Sequence, residues 1–354
     1  DPNDFALWIK LNIASLEESR FEKAIHASEQ MLKVSTSMTQ KIIAYFQILK
    51  GLLNSGVYHQ HAQQLHSEYI NILAEVIQSD RSLETLNPKD ILGTFQMVTA
   101  TCYFPYLQDN PHEMHRWRGL VGQIWQKKWQ NYVNNNLLEI QKTYDSNIYK
   151  KNKLKIGYIS SSLRQHSVGY LSRWLFQEYN QDKFEFYVYS LNHNQDRVAL
   201  LFETNSHLRD FTNEEDLLKM AKTIREDEVD ILIDLDGFTD QKVSRVMLMK
   251  PAPIQATWLG FDASGLPAID YFIADPYVLP KNAQEYYNET IWRLPQTYIA
   301  VNGFDVGVPN VSREDLEIPE DAVVYLSSQT GQKRNPDNIR LQMQILKQVS
   351  NSYF

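Results

Sequence analysis

The chain has 354 residues, a net charge of −8 and a single cysteine, Cys102. That length holds two or three domains with a substantial core, and the acidic balance argues against a nucleic-acid partner. One cysteine excludes an internal disulfide framework, no apolar run approaches the ~20 residues of a membrane span, and the start lacks a basic-then-apolar signal segment, so a soluble cytoplasmic protein is expected.

Residues 4 to about 148 read as helix after helix. Asp4 is the expected N-cap ahead of Phe5, Trp8 and Leu11, and a chain that opens inside a helical pattern suggests a longer protein. Trp8, Leu11, Phe21 to Ile25 and Met31-Leu32 resemble a worn tetratricopeptide unit, echoed by Tyr45, Leu49, Gly56 and Tyr58. Phe21 and Tyr58 are 37 residues apart where that repeat has a period of ~34. Two readings stay open for residues 1–149: a degenerate tetratricopeptide-like domain or an irregular all-helical one.

The basic linker Tyr149 to Lys153 marks a boundary, after which strands and helices alternate. Strands are predicted at Leu154–Ile159, Phe184–Tyr189, Leu208–Phe211, Asp230–Leu235, Ile254–Leu259 and Tyr271–Ala274. Helices are predicted from Val168, near Val198, over Glu214–Arg225 and near Lys242–Met249. This alternation implies βαβ units and a mainly parallel sheet over residues 150–310. A strand pair around Ile291–Leu294 and Tyr298–Val301 is expected in the loop-rich stretch that follows. A second α/β unit opens at 311–354 with strand Val323–Leu326, helix Pro336 to Val349 and the start of a strand at Tyr353-Phe354. One strand and one helix cannot bury a sheet of their own, so that unit is expected to be incomplete here.

Two stretches carry the chemistry. Pro251-Ala252-Pro253-Ile254-Gln255-Ala256-Thr257-Trp258-Leu259-Gly260 runs into Gly265-Leu266-Pro267-Ala268-Ile269-Asp270-Tyr271, a strand ending in small residues where open α/β sheets bind ligands. About ninety residues earlier, strand Leu154 to Ile159 runs into the hydroxyl-rich loop Ser160 to Gln165, then His166-Ser167-Val168-Gly169 at a helix start. Ser167 is the expected N-cap, and such a loop suits an anion such as a diphosphate. The missing G-x-G-x-x-G disfavours a nicotinamide or flavin dinucleotide.

Together with Asp230 to Thr239, these motifs resemble the catalytic region of the O-linked N-acetylglucosamine transferase and SPINDLY family over roughly residues 150 to 354. The resemblance implies a tetratricopeptide-like domain before a GT-B-type, Rossmann-like catalytic lobe, with the second, nucleotide-binding lobe incomplete. It implies an inverting, metal-independent transfer of a sugar, N-acetylglucosamine from its UDP donor, to Ser or Thr hydroxyls of proteins, with no cofactor. The N-terminal helices would bind the acceptor protein. A protein O-fucosyltransferase using GDP-fucose and a non-catalytic interaction protein with a vestigial lobe remain the alternatives.

On this resemblance His166 is the catalytic base, Lys333 neutralises the leaving diphosphate with Arg334 as competitor, and Leu259, Gly260, Thr239 and Ser167 line the donor. The chain departs from the family pattern at Ser162, where relatives usually carry Asp, and at Phe238, where they carry His or Tyr. Its Phe261 to Gly265 loop is also one residue shorter. Asp234-Leu235-Asp236 has the look of a metal-binding D-x-D, yet falls in a loop where the family expects no metal. His59, His61 and His66 are read as a solvated helix face, and Trp117, Trp125, Trp129 and Tyr132 as helix-packing core.

Overall fold

A computed structural model describes residues 2–57, 59–78, 99–136, 151–303 and 306–354. By contacts the chain forms two compact units, Asp1–Asp109 with Phe304–Phe354, and Asn110–Gly303.

The first unit begins with helices α1 (Phe5–Glu17), α2 (Phe21–Val34), α3 (Met38–Ser55) and α4 (His59–Gln78). Asp4 caps α1 by accepting from the backbone N–H groups of Ala6 and Leu7. The buried side of α1 differs from the apolar pattern of its sequence. Leu11 is exposed, whereas Asn12 is buried and donates to Ala24 O at 2.9 Å and to Ser28 Oγ at 2.7 Å. A polar clasp therefore joins α1 to α2. The histidine-rich helix α4 also differs from expectation. His66 is buried with Ala62, Leu65, Tyr69 and Leu73 along one helical face, its ring edge-on to Phe104 at 4.5 Å, while His61 is exposed. The His59 side chain, Tyr58 and, of the helices expected up to about residue 148, residues 79–98 and 137–148 lie outside the described residues.

The short helix α5 (Phe104–Leu107) closes this stretch, and α6 (Pro111–Asn136) opens the second unit. Trp117, Trp125 and Trp129 of α6 are buried as core; the Tyr132 side chain lies outside the described residues. Then follow β1 (Leu154–Ser160), α7 (Ser167–Glu178), β2 (Phe184–Ser190), α8 (Arg197–Thr204), β3 (His207–Asp210), α9 (Leu217–Glu226), β4 (Ile231–Asp234), α10 (Gln241–Leu248), β5 (Ile254–Thr257), β6 (Tyr271–Ala274) and β7 (Thr290–Arg293). The seven strands form one sheet in the order β3-β2-β1-β4-β5-β6-β7, every pair parallel.

Helices cover the sheet because parallel strands are apolar on both sides. On one face Phe176 of α7 and Phe202 of α8 meet ring to ring at 4.7 Å, and Phe176 lies 4.8 Å from Tyr158 and 5.3 Å from Phe186. On the other, Gln255 donates to Met247 O of α10 at 2.9 Å, and Leu217, Met220, Ala221 and Ile224 form the buried stripe of α9. Next to the α7–α8 layer, an apolar groove of about 830 Å³ runs over β4 to β7 beside Ile231, Ile254, Tyr271 and Trp292.

Two expected boundaries move and one expected strand is absent, each for a local reason. Helix α9 begins at Leu217, not Glu214, because Asp216 accepts from the N–H groups of Leu218 and Lys219. Strand β5 stops at Thr257, since Leu259 takes φ = 80°, which no strand tolerates. Tyr298–Val301 is not a strand: the Tyr298 N–H is taken by Asp275 Oδ2 at 2.8 Å and its carbonyl by Trp258 Nε1 at 2.8 Å.

The remaining residues of the first unit contain β8 (Val323–Val324), α11 (Pro336–Gln348) and β9 (Ser352–Tyr353), with β8 and β9 paired in parallel. Among the described residues, no helix is long and apolar enough to cross a membrane.

Candidate active site

The strand order reverses between β1 and β4, and their carboxyl ends form the crevice where such sheets bind ligands. Both crevice loops are held by one carboxylate. Asp236, buried just past β4, accepts from Ser160 Oγ at 2.8 Å, from the Ser161 N–H at 2.6 Å and from Ser161 Oγ at 3.0 Å. Ser160 in turn accepts the Ser162 N–H at 2.8 Å, so the hydroxyl-rich loop is drawn into a tight turn. Asp234 accepts from the N–H groups of Asp236 and Gly237 at 2.8 Å each, and from Thr257 Oγ1 at 3.3 Å. Burial, reinforced by the neighbouring Asp236 charge, pushes the Asp234 carboxyl up to about 7. The D-x-D carboxylates are thus committed to holding loops. Among the described residues, no group of three or more His, Cys, Asp or Glu has the arrangement of a metal site.

The loop after β5 packs directly on this frame. A Cβ on Gly260 would lie 2.0 Å from Leu235 O, so only glycine allows the two loops to touch. The Gly260 N–H donates to Trp258 O at 3.0 Å, closing a γ-turn centred on Leu259 at φ = 80°. A non-glycine residue in that region costs about 1–3 kcal/mol and persists only where its surroundings impose it, as ligand-binding turns often do. Leu259 is itself buried; Thr239 is exposed and its hydroxyl donates to Asp236 O at 2.5 Å.

His166 stands exposed at the far end of the β1 loop. It, and not Ser167, caps α7: the Val168 N–H donates to His166 Nδ1 at 3.3 Å, and Ser167 is the first helical residue. A neutral ring accepting at Nδ1 carries its proton on Nε2. The turn below is close-packed, since a Cβ on Gly169 would meet Arg164 O at 2.1 Å. Gln165 is tied to α8, its N–H donating to Asp196 Oδ2 at 2.9 Å.

His166, Thr239, Leu259 and Gly260 therefore lie in the connections at the carboxyl edge of adjacent strands β1, β4 and β5, and Ser167 opens the helix that follows the first of these. Lys333 belongs to the other unit. It is exposed, in a 3-10 turn at Gly331–Lys333 just ahead of α11, which Asn335 caps and Pro336 opens. That turn is seated on the end of α3: a Cβ on Gly331 would lie 2.1 Å from Asn54 O, and one on Gly56 would lie 3.1 Å from Gly331 Cα.

Sequence reasoning missed one feature of the site. Phe238 is fully buried beside Phe261, with ring centroids 5.4 Å apart, and the guanidinium of Arg118 on α6 lies over both rings at 4.8 and 5.7 Å. Residues 120 and 143 positions apart leave no local signal of such a contact. Only the paired glycines Gly119 and Gly122 hint at close packing on this helix, and a Cβ on Gly122 would lie 2.5 Å from Gly265 O.

A parallel sheet in this order, with hydroxyls and a strained backbone turn beside its switch point, defines a Rossmann-like lobe, a fold whose crevice at that point is the usual place for a ligand. The sequence pattern of Glycosyl transferase family 41 matches residues 136–306, and this segment belongs to that family. The chain is 32% identical over 211 residues to the probable UDP-N-acetylglucosamine–peptide N-acetylglucosaminyltransferase SEC of Arabidopsis thaliana, covering 56% of this chain and 21% of that one. It is 31% identical over 166 residues to the probable enzyme SPINDLY of Solanum lycopersicum, covering 44% and 17%, and 28% identical over 149 residues to the corresponding Caenorhabditis elegans enzyme, covering 41% and 13%. The chain thus spans about a fifth or less of the length of these relatives. A solved structure of a Thermobaculum terrenum O-GlcNAc transferase mutant has the same fold at a TM-score of 0.69 and 18% identity, covering 99% of this chain and 61% of that one.

Proposed function

We propose that the chain carries part of a nucleotide-sugar glycosyltransferase that moves N-acetylglucosamine from UDP to Ser or Thr hydroxyls of proteins by a single inverting displacement. The observation that carries this reading is the coincidence of the family 41 match with the loops assembled at the β1/β4 switch point.

In the reaction an acceptor hydroxyl oxygen attacks the anomeric carbon from the face opposite the diphosphate. The new C–O bond forms as the bond to the diphosphate breaks, which inverts the configuration. The hydroxyl proton goes to His166 and the bond's electron pair leaves with the diphosphate. To accept at Nε2, the ring must hold its proton on Nδ1 and give up the Val168 N–H contact. A net hydrogen bond contributes about 0.5–1.5 kcal/mol, and one of 3.3 Å belongs at the lower end, so the exchange is inexpensive. The Lys333 ammonium neutralises the departing diphosphate without a metal. Leu259 and Gly260 present backbone groups to the sugar, with Thr239 and Ser167 at the rim, and the N-terminal helices engage the acceptor protein.

Calorimetric titration of the whole protein with UDP and with GDP tests the donor. Tighter binding of UDP supports the N-acetylglucosamine reading; a clear preference for GDP replaces it with a fucosyl donor. Transfer that survives EDTA supports the metal-free mechanism, and transfer abolished by EDTA removes it.

A further inference from the structure

The loop that the proposed function assigns to the donor sugar is anchored from outside the strand–helix core. Arg118 and His115 of α6 are both buried, and both reach one carboxylate in that loop. Arg118 Nη1 donates to Asp262 Oδ2 at 2.7 Å and to Ala263 O at 3.0 Å; His115 Nε2 donates to Asp262 Oδ2 at 3.1 Å. On the other oxygen, Asp262 Oδ1 accepts from Tyr287 OH at 2.5 Å and from the Ala263 N–H at 2.8 Å. The carboxylate is therefore turned into the protein and has partners on both oxygens.

The same guanidinium lies over Phe238, in the loop after β4, and over Phe261, in the loop after β5. A charge that faces aromatic rings and a carboxylate together resists displacement, because each contact is worth more once water is excluded. Arg118 thus bolts together the two loops that flank Gly260 and the strained Leu259 turn. Phe238, where the family pattern has His or Tyr, completes this bolt: its ring packs beneath the guanidinium.

We infer that Arg118 is a positioning residue for the donor-sugar loop, acting through Asp262 and Phe238 to hold the Leu259–Gly260 turn in its binding geometry. The helix Pro111–Asn136 is by this reading a working part of the transferase lobe. The inference rests on the proposed function for its donor readout and on the loop contacts alone for its structural readout.

The test compares Arg118→Met, Asp262→Asn, their double variant and Arg118→Lys in the whole protein, with Phe202→Leu, in the remote aromatic core, as a control matched for loss of Tm. Amide hydrogen exchange of the peptide spanning residues 258–266 and the donor KM and kcat are measured for each. Misplacement remote from the chemistry can cost up to 10²-fold, so Arg118→Met is expected to speed loop exchange and raise the donor KM by about tenfold beyond the control. Asp262→Asn should match it, the double variant should be no worse than either single one, and Arg118→Lys should recover most of the loss. Loop exchange and donor KM that merely follow Tm, as in Phe202→Leu, would overturn the inference. If the wild type binds no sugar nucleotide while loop exchange still responds to Arg118, the glycosyltransferase reading falls and the anchoring of the loop is upheld.

Discussion

Ser160 ends β1 and Asp236 follows β4, and the 2.8 Å hydrogen bond between them joins the two strands at the point where the sheet reverses its order. It makes the D-x-D segment a brace for the loop leading to His166. Asp236→Ala strands the buried Ser160 hydroxyl and the Ser161 N–H. Each orphaned donor costs about 1–3 kcal/mol. A drop in denaturation midpoint on that scale is expected from urea titration, and a midpoint within ~0.5 kcal/mol of wild type would show that the brace carries no weight.

Asp234 supplies a pH dependence of opposite sign to ordinary acid unfolding. Its carboxyl is raised from 3.8 to about 7 by burial and by the Asp236 charge. The unfolded chain therefore loses this proton at lower pH than the folded one. The contribution is fully present below the unfolded value and is lost as pH rises through about 7. Asp234→Asn keeps an oxygen for the Asp236 and Gly237 N–H groups and removes the titration. Its stability relative to wild type should climb between pH 4 and pH 8, measured by chemical denaturation at each pH. A constant difference across that range would contradict the assignment.

Two glycines test the close approaches that position the site. Gly260→Ala places a methyl 2.0 Å from Leu235 O, and overpacking of this kind costs about 1–3 kcal/mol. Donor binding should fall with it, because the Leu259 turn must shift. Gly331→Ala meets Asn54 O at 2.1 Å and should disturb the Lys333 turn while leaving the sheet untouched. Calorimetry and differential scanning of both variants are the checks; unchanged donor affinity in Gly260→Ala would remove the turn from the binding site.

The large helix-packing aromatics fix the lobe itself. Phe176 lies within 5.3 Å, ring centroid to centroid, of Tyr158, Phe186 and Phe202 and is fully buried. Phe176→Ala should cost about 3–5 kcal/mol, read as a loss in urea midpoint. A cost below ~1 kcal/mol would mean that the α7–α8 layer does not carry the stability of this face.

Much of this architecture was legible because buried parallel strands read as apolar runs. Leu154–Ser160, Phe184–Ser190 and Tyr271–Ala274 sit within a residue of where their patterns put them, and the loops after β1, β4 and β5 carried the motifs. What escaped depends on contacts that sequence distance hides. His66 is buried because its helix turns it, with Leu65 and Tyr69, toward Phe104, a neighbour 38 positions on. Leu11 lies on the outer side of α1 because Asn12 serves the inner side through two hydrogen bonds that an apolar pattern cannot anticipate. Tyr298–Val301 has strand-like residues, but its backbone is claimed by Asp275 and Trp258. The bolt of Arg118 on Asp262 joins a helix to a loop 144 residues later and has no periodic signature at all.

The most direct measurement is single-turnover transfer from UDP-N-acetylglucosamine to a Ser/Thr acceptor peptide, followed by mass spectrometry, in the whole protein and its His166→Ala and Lys333→Ala variants. The wild type should add one sugar per hydroxyl. His166→Ala should slow transfer by about 10²–10⁴-fold with UDP affinity nearly intact. Lys333→Ala should slow it by the ~2.7–4 kcal/mol typical of lost charge stabilisation, about 10²–10³-fold, and weaken UDP binding as well. Wild-type rates from both variants, or no transfer of any nucleotide sugar by the whole protein, would contradict the account.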